Sequence, residues 1–366
     1  MKIEGVKEKI TAMVKIGEKY TGKNLTLPVL SCLFFEAKEG ELLIRATNLE
    51  VGFEVRIPVK IKEEGKAAVP ASVLSNFLQS LSGDKNIQLE VREGNVFVSG
   101  SKTNALIKSL PTDDFPTIPH LISDKKIKIE AKDFVRGLKA VSYSSAVSAM
   151  KPELSSVYMY SDQDYLIFVA TDSFRLAEKK IRIKNTKDVE AVLIPAKNIS
   201  QLIGALESIN DSIEVTMGAN QISFSYNGLY ITSRTVDGTF PDYHQIIPKE
   251  FKTDVVVLKQ DFADSLKRAN IFSDTFNQIN IKADPQKKEF IVKTKNGQLG
   301  ENSNSLDAVV KGEPIEIHFN YKYINDSFQS IEADSVTVGF SGMHRPMVMR
   351  GVSDNSFTYL VMPMNK

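Results

Sequence analysis

The run Val69-Pro70-Ala71-Ser72-Val73-Leu74-Ser75-Asn76-Phe77-Leu78-Gln79-Ser80-Leu81 decides how this chain is organised. Val73, Leu74, Phe77, Leu78 and Leu81 recur at helical spacing, and Pro70 signals a helix start because proline suits the first turn. The run has two counterparts. Ile194-Pro195-Ala196 opens a second helical pattern with Ile199, Leu202, Ile203 and Leu206, and Phe319-Asn320-Tyr321 opens a third with Ile324, Phe328 and Ile331. Pro70, Pro195 and Asn320 stand 125 residues apart. Ala46-Thr47-Asn48 and Ala170-Thr171-Asp172 are 124 apart, and Asp133-Phe134 and Asp261-Phe262 are 128 apart. Asp114-Phe115-Pro116 and Thr239-Phe240-Pro241 each close a unit. Agreement of these landmarks on one period implies a triplicated chain, with units at 1–122, 123–248 and 249–366.

Each unit reads as a helix, several strands, a second helix and about three more strands. The first predicts a helix from about Val6 to Tyr20 and strands at Val29–Ala37, Glu41–Thr47 and Gly52–Val59. After the Pro70 helix it predicts strands at Ile87–Val91, Val96–Gly100 and Thr103–Ser109, with Glu93-Gly94-Asn95 as a hairpin turn. Two amphipathic helices on antiparallel strands give an α+β layer architecture with the helices on one face.

Composition excludes several function classes. Among 366 residues, 46 are Lys or Arg and 45 are Asp or Glu, a formal net charge of +1, so bulk charge is not the grip on any nucleic acid. One cysteine, Cys32, rules out a disulfide framework and a multi-cysteine metal site, and fits a reducing cytoplasm. No run of about 18 apolar residues predicts a membrane span, and Met1-Lys2-Ile3-Glu4 lacks the order of a signal peptide.

Catalytic signals fail one by one. His120, His244, His318 and His344 lack metal-ligand spacing, so no metal or cofactor is expected. No nucleophile elbow or dinucleotide fingerprint is present. Gly100-Ser101-Lys102-Thr103 lacks the glycine that precedes the lysine of a phosphate loop and lies between strands, so it reads as a hairpin turn. Asp113 and Asp114 form a carboxylate pair in a connector, where a turn is expected. No catalytic residue is assigned.

Three segments carry a family likeness. Ala170-Thr171-Asp172-Ser173-Phe174-Arg175-Leu176-Ala177 resembles the Ala-Thr-Asp-Gly-His-Arg-Leu-Ala motif of bacterial sliding clamps, the β subunit of DNA polymerase III. Val236-Asp237-Gly238-Thr239-Phe240-Pro241-Asp242-Tyr243 is similar to that family's Val-Asp-Gly-x-Phe-Pro-Asp-Tyr, and Val361-Met362-Pro363-Met364 to its closing tetrapeptide. Thr26-Leu27-Pro28-Val29-Leu30 also fits. The resemblance spans the whole chain.

It implies a DNA clamp fold in three similar domains. It also implies a head-to-tail homodimer that closes a ring around double-stranded DNA without reading its sequence, as a non-catalytic processivity factor in the bacterial cytoplasm. The implied dimer contacts bring Ile271 and Phe272 to the helix of Val73 and Phe77 and to the edge strand of Ala105 and Ile107. The implied DNA-facing residues are Lys23, Asn24, Ser148, Lys151 and Lys197, with arginine often standing in the family where Asn24 stands here. Lys7, Lys9, Lys15, Lys19 and Lys23 give the first helix a positive bias, and Arg136 and Lys139 add to it further on.

The resemblance further implies a pocket for short linear motifs. Its residues are Leu154, Thr171, Phe174, Arg175, Leu176, Pro241, Ile246, Pro346, Val361, Met362, Pro363 and Met364. Its expected occupants are the DNA polymerase III alpha subunit, the clamp loader delta subunit, other polymerases and repair proteins. Apolar and thioether side chains suit a Leu or Phe anchor, and their presence at the chain end implies a docked tail. Ser173 and Phe174 replace the family's glycine and histidine, and Asn365-Lys366 its Arg-Leu. If residue 173 needs positive φ, serine strains it by roughly 1–2 kcal/mol. Two other readings stay open at this stage: an α+β hydrolase or phosphotransferase using Asp113, Asp114 or Lys102, and a repeat scaffold that binds peptides but never DNA.

Overall fold

Side-chain alternation builds the sheets. Lys126–Glu130 buries Ile127 and Ile129 and turns Lys126, Lys128 and Glu130 to solvent, and Thr253–Leu258 buries Val255 and Val257 in the same rhythm. The computed structural model describes residues 1–23, 26–148, 150–184 and 189–364. Among them are six α-helices: α1 (Lys7–Glu18), α2 (Ala71–Ser80), α3 (Ala131–Val141), α4 (Ala196–Leu206), α5 (Lys259–Asn270) and α6 (Tyr321–Ser327).

Each helix starts at the residue after a strand ends: Lys2–Val6, Gly65–Pro70, Lys126–Glu130, Val192–Pro195, Thr253–Leu258 and Ile315–Asn320. Three antiparallel strands follow every helix, and after α1 and α5 a short fourth one is added, Lys60–Glu63 and Ala308–Gly312. The triplicated unit is therefore itself doubled: the described residues hold six strand–helix–three-strand modules and these two extra strands. Pro70 and Pro195 stand as the last residues of strands, not in the first helical turn as the sequence pattern suggests. The restricted φ of proline serves an extended strand end equally well.

The chain forms two compact units, each described separately below. The first comprises the described residues of 1–132, 189–194 and 198–235. One sheet runs Lys60–Glu63, Lys2–Val6, Asn86–Arg92, Asn95–Ser99, Asn104–Ile107, leaving Asn104–Ile107 at an edge. A second runs Lys126–Glu130, Ser212–Gly218, Gln221–Tyr226, Leu229–Arg234, Val51–Pro58, Glu41–Thr47, Cys32–Lys38, Gly65–Pro70. The first and middle repeats join here, with Leu229 paired to Val55 and Ser233 to Val51.

The second unit comprises the described residues of 133–186, 195–197 and 236–366. Strands Ser156–Asp162, Tyr165–Thr171, Arg175–Arg182, Phe357–Val361, Met347–Gly351, Ser335–Phe340, Thr253–Leu258 and Ala308–Gly312 follow one another in one sheet. Here the middle and last repeats join, Arg175 pairing with Val361 and Lys179 with Phe357. A four-stranded sheet runs Gly300–Leu306, Glu289–Asn296, Gln278–Asp284, Ile315–Asn320, with Gly300–Leu306 at an edge. The compact units thus cut across the repeats, because the sheets continue through the repeat boundaries.

The helices bury one face each against these sheets. Ile10 and Val14 of α1, Phe134 and Leu138 of α3, and Phe262, Leu266 and Ala269 of α5 are all sealed from solvent. Aromatic pairs fill the space below: Tyr20 with Phe53, Phe134 edge-on to Phe168, and Phe262 edge-on to Phe290. Each such large side chain contributes about 1.5–3 kcal/mol by burial.

Some local expectations shift. The extended run expected at Val29–Ala37 begins as a 3-10 turn at Pro28–Ser31 and becomes a strand at Cys32, since Pro28 opens the turn. In the third repeat α6 ends at Ser327, so Phe328 caps it and Ile331 packs in the core beyond it. Gly100–Thr103 is a hairpin turn, closed by Gly100 N–H donating to the Thr103 carbonyl at 2.9 Å. Asp113 and Asp114 lie on a turn closed by Phe115 N–H and the Thr112 carbonyl at 3.1 Å.

Gly137 of α3 makes the close helix–sheet approach possible, because a Cβ there would sit 2.4 Å from the buried Phe168 ring. Alanine gains at most about 1 kcal/mol of helix propensity, whereas overpacking a filled core costs roughly 1–3 kcal/mol. Gly137→Ala should therefore destabilise the protein by about 1–2 kcal/mol in urea unfolding; a rise in stability would refute the contact.

Candidate functional site

The second unit carries the hairpin between Tyr165–Thr171 and Arg175–Arg182, and its loop is fixed from within. Thr171 hydroxyl donates to the Arg175 carbonyl at 2.7 Å and accepts from Ser173 N–H at 3.1 Å. Asp172 Oδ1 accepts from both Phe174 N–H and Arg175 N–H at 3.0 Å. Such side-chain caps hold a tight turn. They force Ser173 to φ 75°, the left-handed region that the family's glycine enters freely.

Arg175 spends its guanidinium on the protein itself. Nε donates to Asp172 at 2.9 Å, Nη1 to Asp326 at 2.6 Å and Nη2 to the Tyr143 carbonyl at 2.6 Å. Its carbon centre lies 4.7 Å from the Tyr323 ring centroid. Arg175 is a brace that ties the hairpin to α6, and its charge is neutralised where it stands.

The chain end docks against this hairpin, as its apolar character suggests. Beyond strand Phe357–Val361, Met362 N–H donates to the Phe174 carbonyl and Met364 N–H to the His318 carbonyl, both at 2.8 Å. Thr171 and Leu176 pair across the hairpin, and Arg175 pairs with Val361. Pro346 adjoins Met347, which pairs with Val361 from the other side. Met362, Pro363 and Met364 are half-buried, whereas Leu154, Thr171, Leu176, Pro346 and Val361 are buried and form backing more than open surface.

Pro241 and Ile246 are exposed and are held by the residue between them. Tyr243 is buried and donates to Glu178 Oε2 at 2.5 Å, and Tyr160 hydroxyl lies 2.7 Å from Tyr243 hydroxyl. Because Tyr243 gives its proton to Glu178, Tyr160 is the donor to Tyr243. Burial and the Glu178 carboxylate push the Tyr243 phenol well above its ordinary pKa, and burial pushes Tyr160 up to about 12. Both phenols stay protonated across the neutral range. The Val236–Tyr243 motif thus serves to pin the Pro241–Ile246 segment to strand Arg175–Arg182.

The sequence reading missed Tyr323, Asp172 and Asp326. Asp172 sits inside a quoted motif and its capping role was open to inference; α6 has only seven residues and no motif to mark the other two.

The remaining expected residues fall as follows. Lys23, Ser148, Lys151 and Lys197 are exposed, as are Lys9 and Lys15 of α1 and Lys19 just after it; Asn24 and Asn365-Lys366 lie outside the described residues. Lys7 departs from the expected positive stripe, since its Nζ donates to the Leu81 carbonyl. Arg136 pairs with Asp133 at 3.0 Å and Glu332 at 4.0 Å. In the first unit Val73 is exposed, Phe77 and Ala105 are half-buried, and Ile107 is buried in its own sheet. Leu106, 54% exposed, takes the outward position on that strand, because neighbouring residues face opposite sides. In the second unit Ile271 is 66% exposed and Phe272 half-buried, and Phe276 at 68% is an apolar surface residue that sequence reasoning missed.

Among the described residues no group of three His, Cys, Asp or Glu could hold a metal ion, and no helix is long and apolar enough to cross a membrane.

Ser173→Gly removes left-handed strain of roughly 1–2 kcal/mol and adds unfolded-state freedom worth about 0.4–1 kcal/mol. Thermal or urea unfolding should show a net gain of about 0.5–1 kcal/mol. A loss would mean that the serine is not strained.

Comparison with known proteins bears on the whole chain. Profiles of the DNA polymerase III beta subunit match in order: its N-terminal domain at residues 1–119, central domain at 128–242 and C-terminal domain at 244–365. The beta sliding clamp of Synechococcus elongatus is 26% identical over 344 residues, covering 92% of each chain. That of Staphylococcus epidermidis is 25% identical over 349 residues, covering 93% of this chain and 92% of the other. The crystal structure of the DNA polymerase III beta subunit from Thermotoga maritima superposes with TM-score 0.94 at 25% identity, over 100% of this chain and 99% of that one. The Bacillus subtilis sliding clamp shares the fold with TM-score 0.94 at 23% identity, over 100% and 99%. The chain belongs to the DNA polymerase III beta subunit family, the sliding clamps, which are non-catalytic processivity factors of DNA polymerase.

Proposed function

We propose that two copies of this chain join head to tail into a ring that encircles duplex DNA and tethers its partners through the pocket of the second unit. One observation carries the reading. Among the described residues, four of the six strands that come third after a helix meet a neighbouring repeat, at the repeat junctions. Val51–Pro58 pairs with Leu229–Arg234, and Arg175–Arg182 pairs with Phe357–Val361. The two left over are Asn104–Ile107 in the first unit and Gly300–Leu306 in the second, and each is a sheet edge.

Applying the same junction a third time calls for a second copy, and two such contacts close a cycle. Unpaired edge N–H and C=O groups favour that pairing. The exposed apolar side chains Leu106 and Val73 in the first unit, and Ile271 and Phe276 in the second, supply the apolar area. Phe272 lies 3.8 Å from where a Gly300 Cβ would stand, so it belongs to the same patch. Ile107 contributes from beneath, by shaping its strand.

Within this reading the domains are 1–122, 123–248 and 249–366, cut inside sheets that run on. Lys23, Ser148, Lys151 and Lys197, with Lys9 and Lys15 of α1 and Lys19 just after it, are the DNA-facing positions. Near-neutral net charge suits sliding, since many tight phosphate contacts would act as a brake. The pocket takes linear motifs of the DNA polymerase III alpha subunit, the clamp loader delta subunit and repair proteins in the bacterial cytoplasm. The braced Arg175 shapes it and leaves apolar anchors to do the binding.

Two variants separate the functions. Ile271→Asp places a charge in the apolar patch and should yield monomers by sedimentation that are no longer retained on circular DNA. Arg175→Lys keeps the charge but loses the planar fork, at about 2 kcal/mol in unfolding stability. It should remain dimeric and retained, yet bind a Leu/Phe-bearing peptide at least tenfold more weakly. Retention of the wild type on closed circles should resist moderate salt, while affinity for a short open duplex falls with it. Equal loss from circular and linear DNA, or an Ile271→Asp dimer, would overturn the ring.

A further inference from the structure

We infer that strand Ala308–Gly312, a bare edge of the large sheet in the second unit, pairs with the same strand of a second copy of this chain, antiparallel and centred on Val309. The contact uses a different strand from the head-to-tail edge Gly300–Leu306, and it joins assemblies edge to edge.

Natural sheets blunt their edges against such pairing with charges, bulges or short strands. The first repeat shows the blunted form. Its extra strand Lys60–Glu63 carries Lys60, Lys62 and Glu63, and its register against Lys2–Val6 slips so that Lys62 has no partner. Ala308–Gly312 is the corresponding extra strand of the third repeat. It keeps one register against Thr253–Leu258 throughout, from Gly312 opposite Thr253 to Ala308 opposite Val257. Its one charge is Lys311, and it stands last in its sheet among the described residues.

The outward face next to this edge is also altered. Three places before the helix start, the leading strands of the first and second repeats carry Glu4 and Lys128, and the third carries Val256. Val256 lies directly opposite Val309, and the two are 37% and 57% exposed. Two open valines side by side at a regular edge form apolar surface that a further strand would cover.

Charge selects which strand that is. Asp307, Val309 and Lys311 are exposed and alternate with half-buried Ala308 and Val310, so the three share one face. Acid, valine, base is its own complement when the direction is reversed. In an antiparallel pair centred on Val309, Asp307 falls opposite Lys311 of the second copy at one end, and Lys311 opposite Asp307 at the other. The middle row then runs Val256, Val309, Val309, Val256 across the joint. A one-residue slip would turn the second sheet over, and a two-residue slip would set Val309 against a charge. Opposite charges directly across a ladder stabilise it and like charges oppose it.

The test sediments the full chain at rising concentration. In the high-micromolar range the wild type should grow by whole multiples of its dilute-solution mass. Asp307→Lys and Lys311→Asp each set like charges against one another at both ends, and each alone should weaken this growth roughly tenfold. Mixed in equal amounts, the two variants should associate with each other about as well as the wild type does with itself. The double variant Asp307→Lys/Lys311→Asp should also recover, which separates pairing from any local role of Asp307. No growth in the wild type, growth that both single variants keep, or a mixture no tighter than either variant alone would overturn the inference. The dilute-solution mass reports the head-to-tail contact and its growth reports this edge, so either can fail without the other.

Discussion

Backbone hydrogen bonding at strand edges is the constraint on which this molecule depends. Each module presents a final strand whose outer N–H and C=O groups need partners, and the chain meets that need by extending sheets from one repeat into the next. This explains why compact units and sequence repeats disagree: chain connectivity defines three repeats, and sheet continuity defines two units. A single kind of junction thus serves at both repeat boundaries inside the chain.

The Arg175 hairpin shows a second economy. Its charged residues are consumed internally, Arg175 by two aspartates and a carbonyl, Glu178 by Tyr243. Buried ion pairs of this type are poor sources of net stability, and they are better at fixing geometry. The positive φ at Ser173 belongs to the same pattern, a locally unfavourable conformation held because the turn around it is over-determined.

Much of this was legible in the sequence, for particular reasons. The triplication is visible because Pro70, Pro195 and Asn320 mark helix starts at equal spacing, and Thr171 is visible as a strand end because Ala46-Thr47-Asn48 closes a similar run 124 residues earlier. The six leading strands were not read, because they run for only four to six residues directly into a helix, so that even the alternation of Lys126–Glu130 is too short to stand out from the helical pattern after it. The pairing of Leu229 with Val55 was not readable at all, since nothing local in either strand names a partner so distant in the chain. The resemblance named Ala105 and Ile107 on the edge strand but not Leu106, because a family position locates a strand without fixing which of its residues face out. Tyr323 and Asp326 were missed because they act only once α6 is packed beside the Arg175 hairpin.

Strand Arg175–Arg182 has one more consequence, for the chain while it is being made. Its outer edge is covered only by Phe357–Val361, so it lies bare through the synthesis of some 175 intervening residues. A bare edge is a template for joining with other nascent chains. The strand reads Arg-Leu-Ala-Glu-Lys-Lys-Ile-Arg, and in the finished protein Glu178 and Lys179 are buried in spite of the desolvation this entails. While the edge is bare, the excess of Arg175, Lys179, Lys180 and Arg182 over Glu178 disfavours pairing with a like strand from a neighbouring ribosome, a reason for keeping charges in a sheet that ends up closed.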